Sequence, residues 1–328
     1  MNRSNFKVGT FNLYNLVLPE VTYYGNKKYS MDTYDRKKAW IGAQLARMKA
    51  DIIGFQEVFH KQALQAALDE SKIYADAETV VANPTGQGPV VALASKFPII
   101  GHQVTEAFPA NAHLDIEGID IPFDRFSRPV LSVHLQLNDA VECTVFVVHL
   151  KSKRPIIPDD VDKDDPIERA KGQARALILR ASEAAALRML LMAVLQERNH
   201  PVIVMGDVND SGLAVTSQIV SGEPPWRRLR LEKKRAIWDV LLYHVKDIQA
   251  RQSYGDFYYT HIHNGHYESL DHIMVSQEFV AQNPKSIGRV GYVSVLNDHL
   301  VDETISREQV EPWQSDHAQV VASLELHL

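Results

Sequence analysis

Apolar and polar positions alternate from Lys7 to Leu13, which predicts a strand that delivers Asn12 near its end. From Tyr34 to Met48, the residues Trp40, Ile41, Leu45 and Met48 recur at helical spacing and predict an amphipathic helix. Asp51 to Glu57 reads as a short apolar strand closing on a glutamate, followed by a helix over about His60 to Leu68. Val90 to Ser95, Val130 to Leu137 and Val141 to His149 read as strands, with an Asn138-Asp139 turn joining the last two. Arg154 to Asp165, with its prolines and five aspartates, reads as an exposed loop. Ile167 to Glu197 then predicts one long helix, its apolar stripe made of Ala170, Ala174, Leu177, Ile178, Ala181, Leu187 and Leu191. Asn199-His200-Pro201 supplies its stop. Val202 to Met205 is a buried strand opening into Gly206-Asp207-Val208-Asn209-Asp210. Asn264-Gly265, between Tyr258 to His263 and His266 to Val275, is a hairpin signal, and Ala318 to Leu326 is a last strand. No internal repeat or low-complexity linker interrupts the series. Hairpin-paired strands mixed with helices predict an α+β fold, layered around one core, as a single domain over 1–328.

Composition narrows the class. With 45% hydrophobic and 23% charged residues, the chain reads as an ordinary globular protein able to bury a sizeable core. No apolar stretch approaches the roughly 20 residues that span a bilayer, so no transmembrane segment is expected. Cys143 is the only cysteine and sits in an apolar run, which predicts an inert buried thiol. Together with the absence of a long apolar run in Met1 to Asn12, this points to a cytoplasmic protein. A net charge of −6 argues against a protein that coats nucleic acid. A nuclease stays open, because a metal site concentrates carboxylates that its ion neutralises.

The chemistry lies where strands end. Asn12, Glu57, His149, and Asp207 with Asn209 each follow an apolar run, while Asp271 and Asp316-His317 each precede one. Any one of them is explained by the preference of Asn and Asp for turns. Six such places, all rich in oxygen ligands and histidine, point to a shared site. These residue types suit hydrolysis at phosphorus with a hard divalent cation, Mg²⁺ or Mn²⁺. No His-Glu-x-x-His pair, phosphate-cradling Gly-x-x-x-x-Gly-Lys loop or Gly-x-Ser-x-Gly elbow occurs, which disfavours zinc proteases, nucleotide-driven motors and serine esterases.

In Thr10-Phe-Asn12, Phe55-Gln-Glu57-Val58, His149-Leu-Lys-Ser152, Gly206-Asp207-Val-Asn209, Leu270-Asp271-His-Ile and Ser315-Asp316-His317, the chain resembles the endonuclease/exonuclease/phosphatase superfamily. The motifs keep that family's order and cover essentially the whole chain. The resemblance implies a four-layer α/β/β/α sandwich: two packed mixed sheets flanked by helices. It implies Glu57 as principal metal ligand, supported directly or through water by Asn12 and Asp316. It places His317 against the scissile phosphate, oriented by Asp271, and His149 on a phosphate oxygen. Asp207 positions or deprotonates the attacking water, with Asn209 helping to fix it; whether Asp207 or His317 is the base stays open. One departure concerns the metal: many DNA-directed members follow the first Asn with x-Asp, whereas Leu13-Tyr14 stands here. One metal held mainly through Glu57 is therefore expected, with a second in the presence of substrate as the alternative.

Arg128 and Lys151 are expected to approach substrate phosphate. The basic run Arg227, Arg228, Arg230, Lys233, Lys234 and Arg235 beside Trp226 is weighed as a nucleic-acid contact against a solvated face. His261, His263 and His266 are assigned to a polar hairpin face, and Asp298-His299 is left outside the site. The leading expectation is a phosphodiesterase acting on nucleic acid. The alternatives are a phosphatase or a phospholipid phosphodiesterase acting on a small phosphate substrate, and a non-catalytic binding protein on the same scaffold.

Overall fold

In a computed structural model of the protein, residues 5–196, 200–252, 258–306 and 308–327 are described. β1 (Asn5–Leu16), β2 (Ile52–Val58), β3 (Glu78–Val81), β4 (Val90–Ser95), β15 (Gly288–Leu296) and β16 (Gln319–Leu326) form one six-stranded sheet, in the order β15-β16-β1-β2-β4-β3. β5 (Ile99–Ala107), β8 (Arg125–Asn138), β9 (Val141–His149), β10 (Val202–Asp207), β11 (Leu242–His244) and β14 (Asp271–Ser276) form the other, in the order β11-β14-β10-β9-β8-β5. Two small hairpins, β6 with β7 (Asp115–Ile116, Ile119–Asp120) and β12 with β13 (His261–His263, His266–Glu268), stand apart. Both sheets are mixed: β1 runs parallel to β2 and antiparallel to β16, and β10 runs parallel to β9 and antiparallel to β14.

The apolar runs are continuous because both faces of each central strand are covered. In β9, Cys143, Val145 and Val147 enter the core between the sheets, while Phe146 and Val148 join a second core on the outer side. β10 does the same, with Ile203 and Met205 facing inward and Val202 and Val204 outward. The second core is closed by α3 (Pro166–Leu195) through Leu187 and Leu191. On the far side of the sandwich, α1 (Met31–Met48) and α2 (Lys61–Glu70) cover the other sheet through Ile41, Leu45, Leu64 and Leu68. This is the four-layer α/β/β/α arrangement. Ser30 caps α1 by accepting from the Thr33 amide at 3.2 Å, and Asp165 caps α3 by accepting from Ile167 at 2.9 Å ahead of Pro166. Three short helices, α4 (Val215–Ser221), α5 (Leu231–Trp238) and α6 (Val245–Gln252), complete the chain.

Two expectations need correction. The stripe expected along the first half of α3 is out of phase: Leu177 and Ile178 are 50% and 46% exposed, and Ala170 and Ala174 also face outward. The inward residues there are Gly172, Ala176, Arg180 and Glu183, because this half packs on loops rather than on the sheet; Gly172 faces Pro155 and Ile157. The hairpin at Asn264-Gly265 is also shorter than expected. Its return strand stops at Glu268, and Asp271–Ser276 leaves to pair with β10 and β11 in the second sheet. The Thr260 hydroxyl holds that break by accepting from the amides of Leu270 and Asp271, at 2.9 and 3.2 Å. The Asn199 helix stop lies outside the described residues.

Candidate active site

Sheet register assembles half of the site. Asp207 is paired with His149 on one side and Asp271 on the other, so three strand-end residues stand side by side. Neighbouring strands lie about 4.8 Å apart, and paired residues share a face, so all three side chains point in the same direction. That direction is inward, because Val147, Met205 and Ile273, two positions away, belong to the core between the sheets. Gly206 makes the approach workable. Its φ is +144°, and a Cβ there would lie 2.0 Å from the Val148 carbonyl oxygen.

The other sheet supplies the second half. Asn12 at the end of β1 donates from Nδ2 to Asp207 Oδ2 across the sandwich at 3.2 Å. Its Oδ1 accepts from the Tyr14 amide at 3.0 Å, shaping a turn in which Tyr14 and Asn15 take left-handed φ of 47° and 59°. The Asn15 amide in turn donates to Glu57 Oε2 at 2.8 Å, and Glu57 itself has φ 62°. Such conformations cost on the order of 1 kcal/mol each, and all three lie where β1 and β2 shift register. Ser315 explains its place before Asp316-His317: its hydroxyl donates to the Asn12 carbonyl at 2.7 Å and accepts from the His317 amide at 3.0 Å.

Asp207 is the hub. Oδ1 accepts from the Asn209 amide at 2.8 Å, and Asn209 Nδ2 donates to the Leu150 carbonyl at 3.0 Å. Oδ2 lies 3.5 Å from His149 Nε2 and 3.9 Å from His317 Nε2. Burial pushes the Asp207 carboxyl up to about 7, with the Asp271 charge adding to the rise and His317 opposing it. His317 gives its Nδ1 to the fully buried Asp271 at 2.8 Å. Burial alone would depress the imidazole, but Asp271 and Asp207 together hold it well above the usual histidine range. His149 is held well below that range by burial, Arg128 and His317, and is therefore neutral.

Glu57 and Asp316 form a second acidic pole. Burial, then the Asp316 charge, raises the Glu57 carboxyl, while Arg128 and His317 oppose the rise. Asp316 Oδ1 is buried and accepts no hydrogen bond from the protein. An oxygen-rich pair that repels itself and carries an unsatisfied buried oxygen fits a hard divalent cation. Arg128 donates to the Leu150 carbonyl at 3.3 Å, and its charge acts on both Glu57 and His149. Lys151 turns its Nζ onto the carbonyls of Ser152 and Arg154, both at 3.0 Å.

Several contributors escaped the sequence reading. Glu183 of α3 accepts the amides of Ser127 and Lys151 at 2.7 and 2.6 Å, tying down the chain beside Arg128 and His149. Arg180 donates to Asp210 Oδ2 at 3.3 Å and to the Lys151 carbonyl at 3.2 Å. Lys37 is fully buried, with its Nζ 5.7 and 5.4 Å from the rings of Tyr14 and Tyr29. Burial lowers it to about 8 against the pull of Glu57 and Asp316. The signal was available: Lys37 precedes Ile41 by one helical turn on the buried stripe. His261, assigned to a polar hairpin face, has its ring 4.8 Å from that of His317.

The basic run lies elsewhere. α5 leads into β11, whose first residue Leu242 pairs with Ser276, the end of β14 remote from Asp271. Five residue steps along the strand separate the two ends, roughly 17 Å. None of the α5 residues is buried, and Arg227, Arg228 and Arg230 before it are exposed, so the run lies on the surface away from the Asp271 end of the sheet.

No curated protein sequence matches this chain. Among solved structures, TDP2 from Caenorhabditis elegans superposes with a TM-score of 0.58 at 15% identity, over 98% of this chain and 74% of that one. The human Nocturnin catalytic domain with bound sulfate gives 0.55 at 14% identity, over 99% of this chain and 96% of that one. A mannosyl-6-phosphatase from Bacteroides thetaiotaomicron gives 0.55 at 18% identity, over 97% and 99%. At these identities the likeness concerns the fold. The family's own sequence profile matches residues 9–317, a span that contains every strand-end residue from Asn12 to His317; the chain belongs to the Endonuclease/Exonuclease/phosphatase family.

Proposed function

We propose that this chain hydrolyses phosphate esters with a divalent cation and water. The observation that supports it most is the convergence of Asn12, His149 and His317 on the single carboxylate of Asp207, beside the Glu57 and Asp316 pole. Glu57 and Asp316, with Asn12 in support, would hold Mg²⁺ or Mn²⁺; when bound, the cation neutralises charge on the phosphoryl oxygens. Asp207, its Oδ1 anchored by Asn209, takes a proton from water through Oδ2 as the new P–O bond forms. Charged His317, aligned by Asp271, donates from Nε2 to a non-bridging phosphoryl oxygen as negative charge builds there. Neutral His149 keeps Oδ2 of Asp207 facing the reacting centre. The ester P–O bond then breaks, and the leaving oxygen takes up a proton.

A small phosphate ester suits this site better than the nucleic acid expected from sequence. The basic run that favoured nucleic acid lies on the surface away from the Asp271 end of the sheet. The cavity beside the site, about 540 Å³, is lined by Tyr14, His261, His263, Glu303 and Asp316, with no lysine or arginine among the described lining residues. A substrate panel tests both levels of the proposal: sugar phosphates, a generic phosphomonoester, a lipid phosphodiester, DNA and RNA, each with Mg²⁺, Mn²⁺ or EDTA. The expected result is cation-dependent turnover with kcat/KM highest on a small ester. Higher kcat/KM on DNA or RNA would return the substrate to nucleic acid, and no turnover of any ester would overturn the hydrolase reading.

A further inference from the structure

His261 belongs to the small β12–β13 hairpin, yet a backbone bridge joins it to His317 and their rings are tilted by 42°. Its Nε2 lies 3.9 Å from Asp316 Oδ2. One ligand-capable atom from each of His261, Asp316 and His317 falls within 4.8 Å of the other two. His261 Nδ1 and Asp316 Oδ1 are buried without a hydrogen-bond partner. His317 is already arranged as a metal-bound imidazole would be. Its Nδ1 is engaged by Asp271 at 2.8 Å, which leaves Nε2 as the ligand nitrogen, in the carboxylate–histidine pattern that orients such ligands.

We propose that His261, Asp316 and His317 form a second cation site, selective for nitrogen-preferring ions such as Zn²⁺, whose occupation withdraws His317 from phosphate chemistry. The donor set decides the selectivity. Two imidazole nitrogens and one carboxylate oxygen suit zinc, whereas the oxygen-only set of Glu57 and Asn12, with the Asp316 carboxylate shared between the two sites, suits Mg²⁺. Zinc–nitrogen bonds of about 2.0 Å at tetrahedral angles separate ligand atoms by about 3.3 Å, so the cluster closes by roughly 1 Å when filled. His261 and Asp316 both line the 540 Å³ cavity, which provides an entry path and room for a fourth, exchangeable ligand. His263 stacks on His261 at 6.1 Å and 21°, which restrains the plane of its ring. With zinc on Nε2, the imidazole of His317 keeps its Nδ1–H, which donates to Asp271, and carries no proton on Nε2. His317 then has no donor for a phosphoryl oxygen.

The inhibitory consequence rests on the proposed hydrolase activity; the site itself does not. The test therefore reads metal binding and turnover separately, on the full chain in saturating Mg²⁺. Calorimetric titration with Zn²⁺ should give one site per chain, and Co²⁺ should give the visible absorption of a tetrahedral centre. His261→Ala should weaken Zn²⁺ binding by more than the roughly 100-fold that loss of an outer partner costs, and His263→Ala by far less. Zinc should inhibit turnover in the native chain but not in His261→Ala, each measured against its own zinc-free rate. No zinc uptake by the native chain, equal uptake by His261→Ala, or undiminished zinc inhibition in that variant would each overturn the proposal. Zinc uptake that depends on His261, in a chain that hydrolyses no ester in Mg²⁺, would uphold the site and overturn only the hydrolase reading.

Discussion

Asp207 carries the most direct link between burial and chemistry. A carboxyl pushed up to about 7 is poised to accept a proton near neutral pH, where a general base is most effective. As the base it must be ionised, so kcat/KM should climb with pH along a limb whose midpoint is at or below about 7, since a bound cation shifts it downward. Asp207→Asn should lower kcat by about 10²- to 10⁴-fold and remove that limb, read from pH–rate profiles in Mg²⁺. A retained limb in the variant would assign the base elsewhere. The stability sign runs the other way. A folded-state carboxyl above its unfolded value binds more protons in the native state, so without metal this residue's contribution to stability is greatest in acid and falls as pH rises from about 4 to about 7. The strand-end residues were legible in sequence because an apolar run stopping at Asn, Asp, Glu or His is a local pattern. His261 was not, since its neighbour His317 is 56 positions away and meets it only through the folded chain, by a backbone bridge and a ring contact.

At the scale of elements, α3 does more than cover a sheet. Its first half presents Arg180 and Glu183 to the loops after β9 and β10, and Glu183 satisfies one amide beside each of Arg128 and His149. Glu183→Ala leaves those amides without their acceptor, which should cost about 1–3 kcal/mol in urea unfolding. It should also lower kcat/KM, because His149 and Arg128 lose their anchor. Glu183→Gln keeps one good acceptor oxygen and should recover part of both losses; an alanine variant with native kcat/KM would make the brace purely structural. Periodicity located this helix to within a few residues but mistook its inner face. An apolar-stripe reading favours Leu177 and Ile178, and it has no means of knowing that the first half of the helix packs on loops, where a small or charged inner face is what fits.

The whole molecule is the unit of function, because neither sheet holds a complete site. Asn12, Glu57 and Asp316-His317 come with one sheet, while His149, Asp207 and Asp271 come with the other. Net charge and the basic run are also properties of the whole, and position decides what they do. Reversing charge at Arg227 and Arg230 should change kcat/KM on a small ester less than twofold and leave its salt dependence flat; a steep change would bring that surface into substrate binding. The layered fold was legible from strand and helix signals, and the family resemblance implied two packed sheets, whereas the contacts that set the distance between them were not legible, since they join residues as far apart as Gly54 and Met205. A Cβ at Gly54 would stand 2.8 Å from Met205 Cγ and Sδ and 3.1 Å from Val147 Cγ1, so the glycine sets the spacing of the sheets three residues before Glu57. Gly54→Val should therefore overpack this core and cost about 1–3 kcal/mol. It should also lower turnover at temperatures where the variant is fully folded, because the 3.2 Å bond from Asn12 to Asp207 spans the same gap. Met205→Ala empties the space that valine needs, so the double variant should be more stable than the sum of the single effects. If the two losses simply add, and turnover in Gly54→Val matches the native rate, sheet spacing does not control the site.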